Sequence, residues 1–326
     1  VAVGEKYYDT GKGRAAIYKY SGGSWVKMGA YIDGTVAGAY FGDAIALSED
    51  GSIVVIGGQI SNSNIGLIRT FQYSTPGIIG GSWAQIGEDI HGLAIDDYFG
   101  SSVAISDDGS IVAAGAYKAK LGTTTEYGTV KIYQYKIPTS TEWTSGNVIK
   151  GADTGQVVDK LYWTQLGTDI NGTTNELFGG KVSLNANGNI VSIGAEWYAG
   201  NQGRIMAFQY IGGSWSQIGQ DISFGGNSRT SRTSLSDDGN IMAVGAIIDL
   251  GPGMVKVYQY SKPGETGGVW NQIGNDMPGG MGLTFMRNVA MNGDGTILVV
   301  GGHGYINNTG YVNMWQYDGS SWILIK

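Results

Sequence analysis

One short pattern occurs six times along this chain, and that repetition limits the fold more than any other feature. The segment Gly128–Tyr135, Gly-Thr-Val-Lys-Ile-Tyr-Gln-Tyr, has counterparts at Gly13–Tyr20, Gly66–Tyr73, Gly203–Tyr210, Gly253–Tyr260 and Gly310–Tyr317. Each is followed by a tryptophan: Trp25, Trp83, Trp163, Trp215, Trp270 and Trp322. Each is preceded by a short apolar run ending in glycine, at Gly4, Gly57, Gly115, Gly194, Gly245 and Gly301. Five of these runs follow an Asx-Gly pair: Asp50-Gly51, Asp108-Gly109, Asn187-Gly188, Asp238-Gly239 and Asp294-Gly295. Such pairs are hairpin signals, because the tight turn needs positive φ.

The apolar runs, such as Ile111-Val-Ala-Ala114, are too short for helices and read as strands covered on both faces. Val130-Lys-Ile-Tyr-Gln-Tyr135 alternates apolar and polar, as a half-buried strand does. One repeat therefore has four strands. We call them A (Phe99 to Ser106), B (Ile111 to Gly115), C (Thr129 to Tyr135) and D (Trp163 to Leu166). Repeats of this kind are the blades of a propeller, since one blade cannot bury both its faces alone. The expected fold is all-β: a six-bladed β-propeller of four-stranded antiparallel blades. It forms one domain over 1–326, with blades near 1–28, 29–87, 88–167, 168–219, 220–274 and 275–326. Strand A has only five copies, at Phe41, Phe99, Phe178, Arg229 and Phe285, so the first blade is expected to lack its innermost strand within this chain. The reading places a segment of roughly fifteen or more residues before Val1 to supply it; a neighbouring molecule donating the strand is the other route.

The unit Tyr98-Phe-Gly-Ser-Ser-Val-Ala-Ile-Ser-Asp-Asp-Gly-Ser-Ile-Val-Ala-Ala-Gly-Ala116 resembles the FG-GAP repeat of integrin-α-type propellers, and the FG-GAP-like repeats of large extracellular proteins of marine bacteria and algae. Phe-Gly recurs at Phe41-Gly42 and Phe178-Gly179 and has decayed at Arg229-Thr230 and Phe285-Met286. The resemblance implies a propeller used for adhesion, ligand binding or scaffolding. Integrin-type blades often hold calcium between strands A and B. Here that link is only Ser-Asp-Asp-Gly-Ser or similar, with too few oxygen ligands, so no metal is expected.

The net charge of −7 and the absence of basic runs argue against nucleic acid as a partner. No apolar window approaches the ~18 residues of a membrane span, so no membrane insertion is expected. With no cysteine, disulfides and thiolate metal sites are excluded. Asp89, Asp169, Asp221 and Asp276 recur after the D-strand glycine, and their repetition points to a structural role, capping a turn through its backbone. His91 and His303 lie far apart with no metal-ligand spacing around them. No nucleophile elbow or phosphate loop is present.

The B–C loops differ from blade to blade while the strands repeat, and variable loops on a rigid scaffold are where binding residues sit. They supply the candidate ligand-binding residues Tyr7, Tyr8, Tyr117, Glu196, Trp197, Tyr198, His303 and Tyr305. Glu5 and Glu196 each follow a strand B and read as equivalent positions. An insertion in the third blade, residues 136–162, carries Trp143 as a candidate partner anchor. The expectation is a non-catalytic extracellular or surface protein for structure or adhesion, not an enzyme, with no catalytic residues and no cofactor. Its partners would be a protein or glycan on a surface, or copies of itself. The alternative is a lectin-like carbohydrate-binding module using the Tyr/Trp-rich loop face. The sequons Asn171-Gly-Thr and Asn307-Asn-Thr accord with an exported protein.

Overall fold

The structure, a computed structural model, describes residues 1–120, 122, 125–136, 162–173, 175–197, 202–226, 228–248, 253–278, 285–303 and 310–325, with the side chains of 136, 230, 231, 285–287 and 303 excepted. Trp143, Tyr198, Tyr305 and the His303 side chain lie outside the described residues.

Six small antiparallel sheets are arranged in a ring, a six-bladed propeller. Blade 1 holds β1 (Ala2–Gly4), β2 (Arg14–Ser21), β3 (Ser24–Lys27) and the two-residue β4 (Ile32–Asp33), which continues strand D. Blade 2 holds β5 (Ala44–Leu47), β6 (Ile53–Gly58), β7 (Leu67–Tyr73) and β8 (Trp83–His91). Blade 3 holds β9 (Phe99–Ile105), β10 (Ile111–Ala116), β11 (Thr129–Lys136), β12 (Tyr162–Gln165) and β13 (Ile170–Asn171). Blade 4 holds β14 (Phe178–Leu184), β15 (Ile190–Ala195), β16 (Arg204–Ile211) and β17 (Ser214–Ile222). Blade 5 holds β18 (Ser228–Leu235), β19 (Ile241–Ile248), β20 (Met254–Tyr260) and β21 (Trp270–Pro278). Blade 6 holds β22 (Phe285–Met291), β23 (Ile297–His303), β24 (Tyr311–Tyr317) and β25 (Trp322–Leu324). Blades 2 to 6 run A-B-C-D from the axis outward. Blade 1 begins at strand B, as its sequence implied.

The Asx-Gly turns close the A–B hairpins as expected. In blade 3 the Asp108 carboxylate accepts from the Ser110 N–H at 2.9 Å and from the Ser106 hydroxyl at 2.7 Å, and Gly109 has φ +74°. These turns also link blade to blade. The Glu49 N–H donates to Asp107 O, Asp107 to Ala186 O, Ala186 to Asp237 O and Asp237 to Gly293 O, at 2.8–3.0 Å.

The D-strand tryptophans join neighbouring blades. Each packs on the D-strand glycine of the blade before it. The indole Nε1 of Trp83 donates to Met28 O at 2.7 Å, that of Trp215 to Leu166 O at 2.8 Å, and that of Trp270 to Ile218 O at 3.1 Å. A Cβ on Gly219 would fall 2.3 Å from the Trp270 ring, so this contact requires glycine. The same rings meet the last tyrosine of strand C at about 5 Å, as in Tyr210–Trp215 at 5.2 Å. Blade 1 is the exception: Trp25 is 56% and Tyr20 59% exposed, whereas Trp322 is 2% exposed. That pair is therefore not packed between blades. Among the described residues no helix is long and apolar enough to cross a membrane.

The contrast predicts the outcome of two matched substitutions. Trp215→Phe removes a partly buried hydrogen bond between blades and should cost about 1 kcal/mol in denaturant unfolding. Trp25→Phe should cost less than about 0.5 kcal/mol, as a surface change does. Equal losses would contradict the assignment of Trp215 as a clasp.

Candidate functional site at the axial mouth

Because strand A is innermost, its side chains line the axis. Residues Ala44–Leu47, Ser101–Ile105, Lys181–Leu184, Arg232–Ser234 and Asn288–Val289 enclose a channel of about 370 Å³. The ladder register sets one level of it: Ala44, Ser102, Lys181, Arg232 and Asn288 each stand opposite the B-strand glycine of their own blade. All but Ala44 are polar, and Lys181 and Arg232 are cationic. The Arg232 side chain is only 6% exposed while lining the channel.

Two residues beyond each B-strand glycine, at or near the end of strand B, stand Lys6, Gln59, Tyr117, Glu196, Ile247 and His303. Three of the candidates chosen from the loops, Tyr117, Glu196 and His303, share this position. On one side of the mouth Asp43 receives Lys6 Nζ at 2.8 Å and a hydrogen bond from the Gln59 amide. Lys6 lies over the Tyr7 ring at 5.2 Å, and Tyr7 meets Tyr40 edge-on at 5.4 Å. Asp43 also borders an open hollow of about 520 Å³ lined by Gly4, Glu5, Lys6, Tyr7, Tyr8 and Gly42. Tyr117 stacks obliquely on Tyr98 at 5.4 Å. Burial pushes its phenol above the ordinary value, and Tyr98, Glu126 and Asp43 add to the shift.

On the other side Glu196 faces two arginines of strand A in blade 5: Arg229 at 3.8 Å and Arg232 at 3.6 Å. Both separations exceed hydrogen-bond length, so charge holds the carboxylate without locking it. Trp197 is 47% exposed and hangs from the Glu176 carbonyl by its N–H at 3.1 Å. Tyr8 is placed differently: it stacks on Arg14 at 3.8 Å, and Arg14 in turn binds Glu5 at 2.8 Å. Glu5 and Glu196 are not equivalent. Glu5 lies one residue past its glycine and Glu196 two, so the ladder turns them in opposite directions.

The repeated D-strand aspartates are structural, by a different bond from the one expected. Asp89 binds Arg69 at 2.7 Å, Asp169 binds Lys131 at 2.8 Å, Asp221 binds Arg204 at 2.5 Å and Asp276 binds Lys256 at 3.4 Å. Each also accepts from a glutamine of its own turn, Gln85, Gln165, Gln217 or Gln272. These are cross-strand ion pairs, not backbone caps. Among the described residues no group of three or more His, Asp or Glu side chains could hold a metal ion.

Sequence reasoning missed Asp43, Lys181, Arg229 and Arg232. Their signal was present in the places where strand A departs from its own repeat, above all the change from Phe to Arg at Arg229.

No family model matches the chain, and no curated protein matches it. The FG-GAP type of repeat therefore stays a resemblance, while the propeller stands on its sheets. Among solved structures, a protein classed as a 6-phosphogluconolactonase from Bacteroides fragilis NCTC 9343 matches with TM-score 0.50 and 14% identity, over 100% of this chain and 93% of that one. Sqt1 from Chaetomium thermophilum matches with TM-score 0.53 and 13% identity, over 98% and 67%. A periplasmic gluconolactonase from Pseudomonas aeruginosa matches with TM-score 0.49 and 14% identity, over 96% and 90%. At these identities the likeness is one of fold.

It corrects the expectation of a non-catalytic adhesion protein without catalytic residues, and the lectin-like alternative with it. That expectation took the fold for an adhesion fold and relied on the lack of a contiguous catalytic motif. A protein named as a lactonase shares the fold. In a propeller the polar groups converge from separate strands, where no contiguous motif exists.

The Asp89 pair allows a pH test. Hydrogen bonds from Arg69 hold the Asp89 carboxyl below its usual 3.8, burial opposes this, and Gln85 adds to it. A depressed carboxyl stabilises the fold above its unfolded pKa, and that stability is lost as pH falls through the folded value. Arg69→Gln should therefore be less stable than the parent by roughly 0.5–1.5 kcal/mol at pH 6. As pH falls through the folded value of Asp89 the gap between the two unfolding curves should close. A gap of constant size across this range would contradict the pairing.

Proposed function

We propose that the chain is a propeller hydrolase that opens a sugar-derived lactone at the axial mouth. The observation that carries this reading is the placement of Glu196, Arg232 and Lys181. The Glu196 carboxylate lies 3.8 Å from Arg229 and 3.6 Å from Arg232, and Arg232 lines the channel together with Lys181. In the reaction, water adds to the lactone carbonyl carbon while Glu196 takes its proton. Arg232 and Lys181 meet the charge that develops on the carbonyl oxygen, the role of a preorganised electrostatic clamp. The ring C–O bond then breaks, and Glu196 returns the proton to the departing ring oxygen. The product is a hydroxy acid; its new carboxyl group gives its proton to bulk water and leaves as a carboxylate against the same two cations.

Asp43, Gln59 and the tyrosines Tyr7, Tyr8 and Tyr117 would bind hydroxyls and sugar faces from the opposite side of the mouth, with Trp197 as a further ligand contact. The name of the Bacteroides fragilis relative supports this substrate class. An exported location belongs to the same reading and is supported by the cysteine-free, acidic composition.

The test is the hydrolysis of δ-gluconolactone and its 6-phosphate, corrected for the buffer reaction. Glu196→Gln, which keeps the shape, should lower kcat by about 10²–10⁴-fold, the usual loss of a general base. Arg232→Met should lower kcat/KM as well. No acceleration over buffer with either lactone would refute the assignment, as would an unchanged kcat in Glu196→Gln.

A further inference from the structure

Blades 3 and 4 share one frame and fill it differently at one place. In blade 4, Arg204 opens strand C opposite Ala195, and Ala195 stands opposite Phe178. The Arg204 guanidinium donates to the Glu176 carboxylate at 2.7 and 3.0 Å and to Asp221 at 2.5 Å. Glu176 is wholly buried, and this cation balances it. In blade 3 the same register brings Thr129 opposite Ala116, and Ala116 opposite Phe99. Thr129 thus stands where Arg204 stands in blade 4. Counted back from the phenylalanine, Asp97 stands where Glu176 does, and the C–D register puts Asp169 in the place of Asp221.

In place of the arginine side chain, blade 3 has a cavity of about 410 Å³ whose lining includes Asp97, Phe99, Ala116, Thr129, Lys131 and Asp169. Asp97 is only 5% exposed. Its Oδ2 accepts from the N–H groups of Leu93 at 3.2 Å and Ala94 at 2.8 Å. Among the described residues it makes no ion pair, so it is a buried carboxylate without the cation that Glu176 has. Lys131 does not serve, because its ammonium is bound to both oxygens of Asp169 at 2.8 and 3.0 Å. Lys120 also borders the cavity and makes no ion pair with Asp97. The Thr129 hydroxyl donates to Asn171 Oδ1 at 2.8 Å. The rest of the wall is apolar: Phe99 and Ala116 are buried, and Leu93, 77% exposed, forms the lip.

We infer that this cavity binds a small molecule carrying a guanidinium group on a short apolar stem. The ligand does in blade 3 what the Arg204 side chain does in blade 4. Its guanidinium donates to Asp97, and its stem lies against Phe99 and Ala116. The planar fork of a guanidinium matches a carboxylate better than an ammonium does. Apolar walls around one charged anchor are the usual construction of a small-molecule site. The cavity shares no lining residue with the axial channel, so the inference is independent of the hydrolase reading.

The test titrates n-butylguanidinium chloride into the 326-residue chain by calorimetry, with n-butylurea as its neutral counterpart. The expected result is saturable one-to-one binding, with hydrogen-exchange protection at the amides of Leu93 and Ala94. The urea should bind about tenfold more weakly or worse, since it lacks the charge. Asp97→Asn keeps an acceptor for those two amides and should weaken butylguanidinium by about tenfold or more. Thr129→Arg rebuilds the arrangement of blade 4 and should abolish binding by filling the cavity from within. Absence of saturable binding to the parent chain would overturn the proposal. So would equal affinity for the urea, or an affinity unchanged in Asp97→Asn or in Thr129→Arg. Should Thr129→Arg not fold, Asp97→Asn and the urea decide the question alone.

Discussion

The rest of the molecule depends on the contact between a tryptophan of one blade and a glycine of the blade before it. Trp270 lies so close to Gly219 that no side chain could stand between them, and its indole N–H reaches the Ile218 carbonyl. The contact combines buried aromatic area with a satisfied donor, which is the arrangement a large indole needs in a core. On the axial side, the Phe-Gly turns press on the B-strand glycines at a similarly close approach. Held at both ends, neighbouring blades have little freedom in angle. The inner strands are therefore fixed relative to one another, and so are the side chains they send into the channel.

This rigidity has a chemical consequence. Lys181 and Arg232 come from different blades yet share a level because both face a B-strand glycine in the same register. Glu196 lies 3.6 Å from Arg232, so the cationic level is tied to the carboxylate beside it. A propeller can vary such a site freely, since the inner-strand positions facing the axis contribute little to the clasps. Blade 1 departs from this pattern at its outer end, where Trp25 is exposed.

The fold was legible because its signals are local. Asp108-Gly109 names its own hairpin, and the spacing from apolar run to Tyr-rich strand to tryptophan repeats wherever one looks. The absence of strand A in blade 1 could be counted in the sequence. The site was less legible for a physical reason. Asp43, Lys181, Arg232 and Asn288 are separated along the chain by whole blades and meet only through register, so no window of sequence contains two of them. They also sit where the repeat departs from itself, and departures read as decay. Glu196 was found because it lies at a loop. Its pairing with Glu5 failed by a single residue, the smallest error that reverses the direction of a side chain in a strand. The aspartates after the D-strand glycine were recognised as structural, but their partners, Arg69, Lys131, Arg204 and Lys256, lie one strand away and were not visible from the turn.

The central claim is that separate inner strands build one anion-compatible site at the axial mouth. A crystal structure of the protein soaked with gluconate, the hydroxy acid that the proposed reaction releases, tests it most directly. The account predicts the carboxylate of the product between Lys181 and Arg232, with hydroxyls toward Asp43 and Glu196 within reach of the carbonyl carbon. Gluconate bound on the outer rim of the blades, or an empty channel at concentrations that saturate the protein in solution, would contradict it.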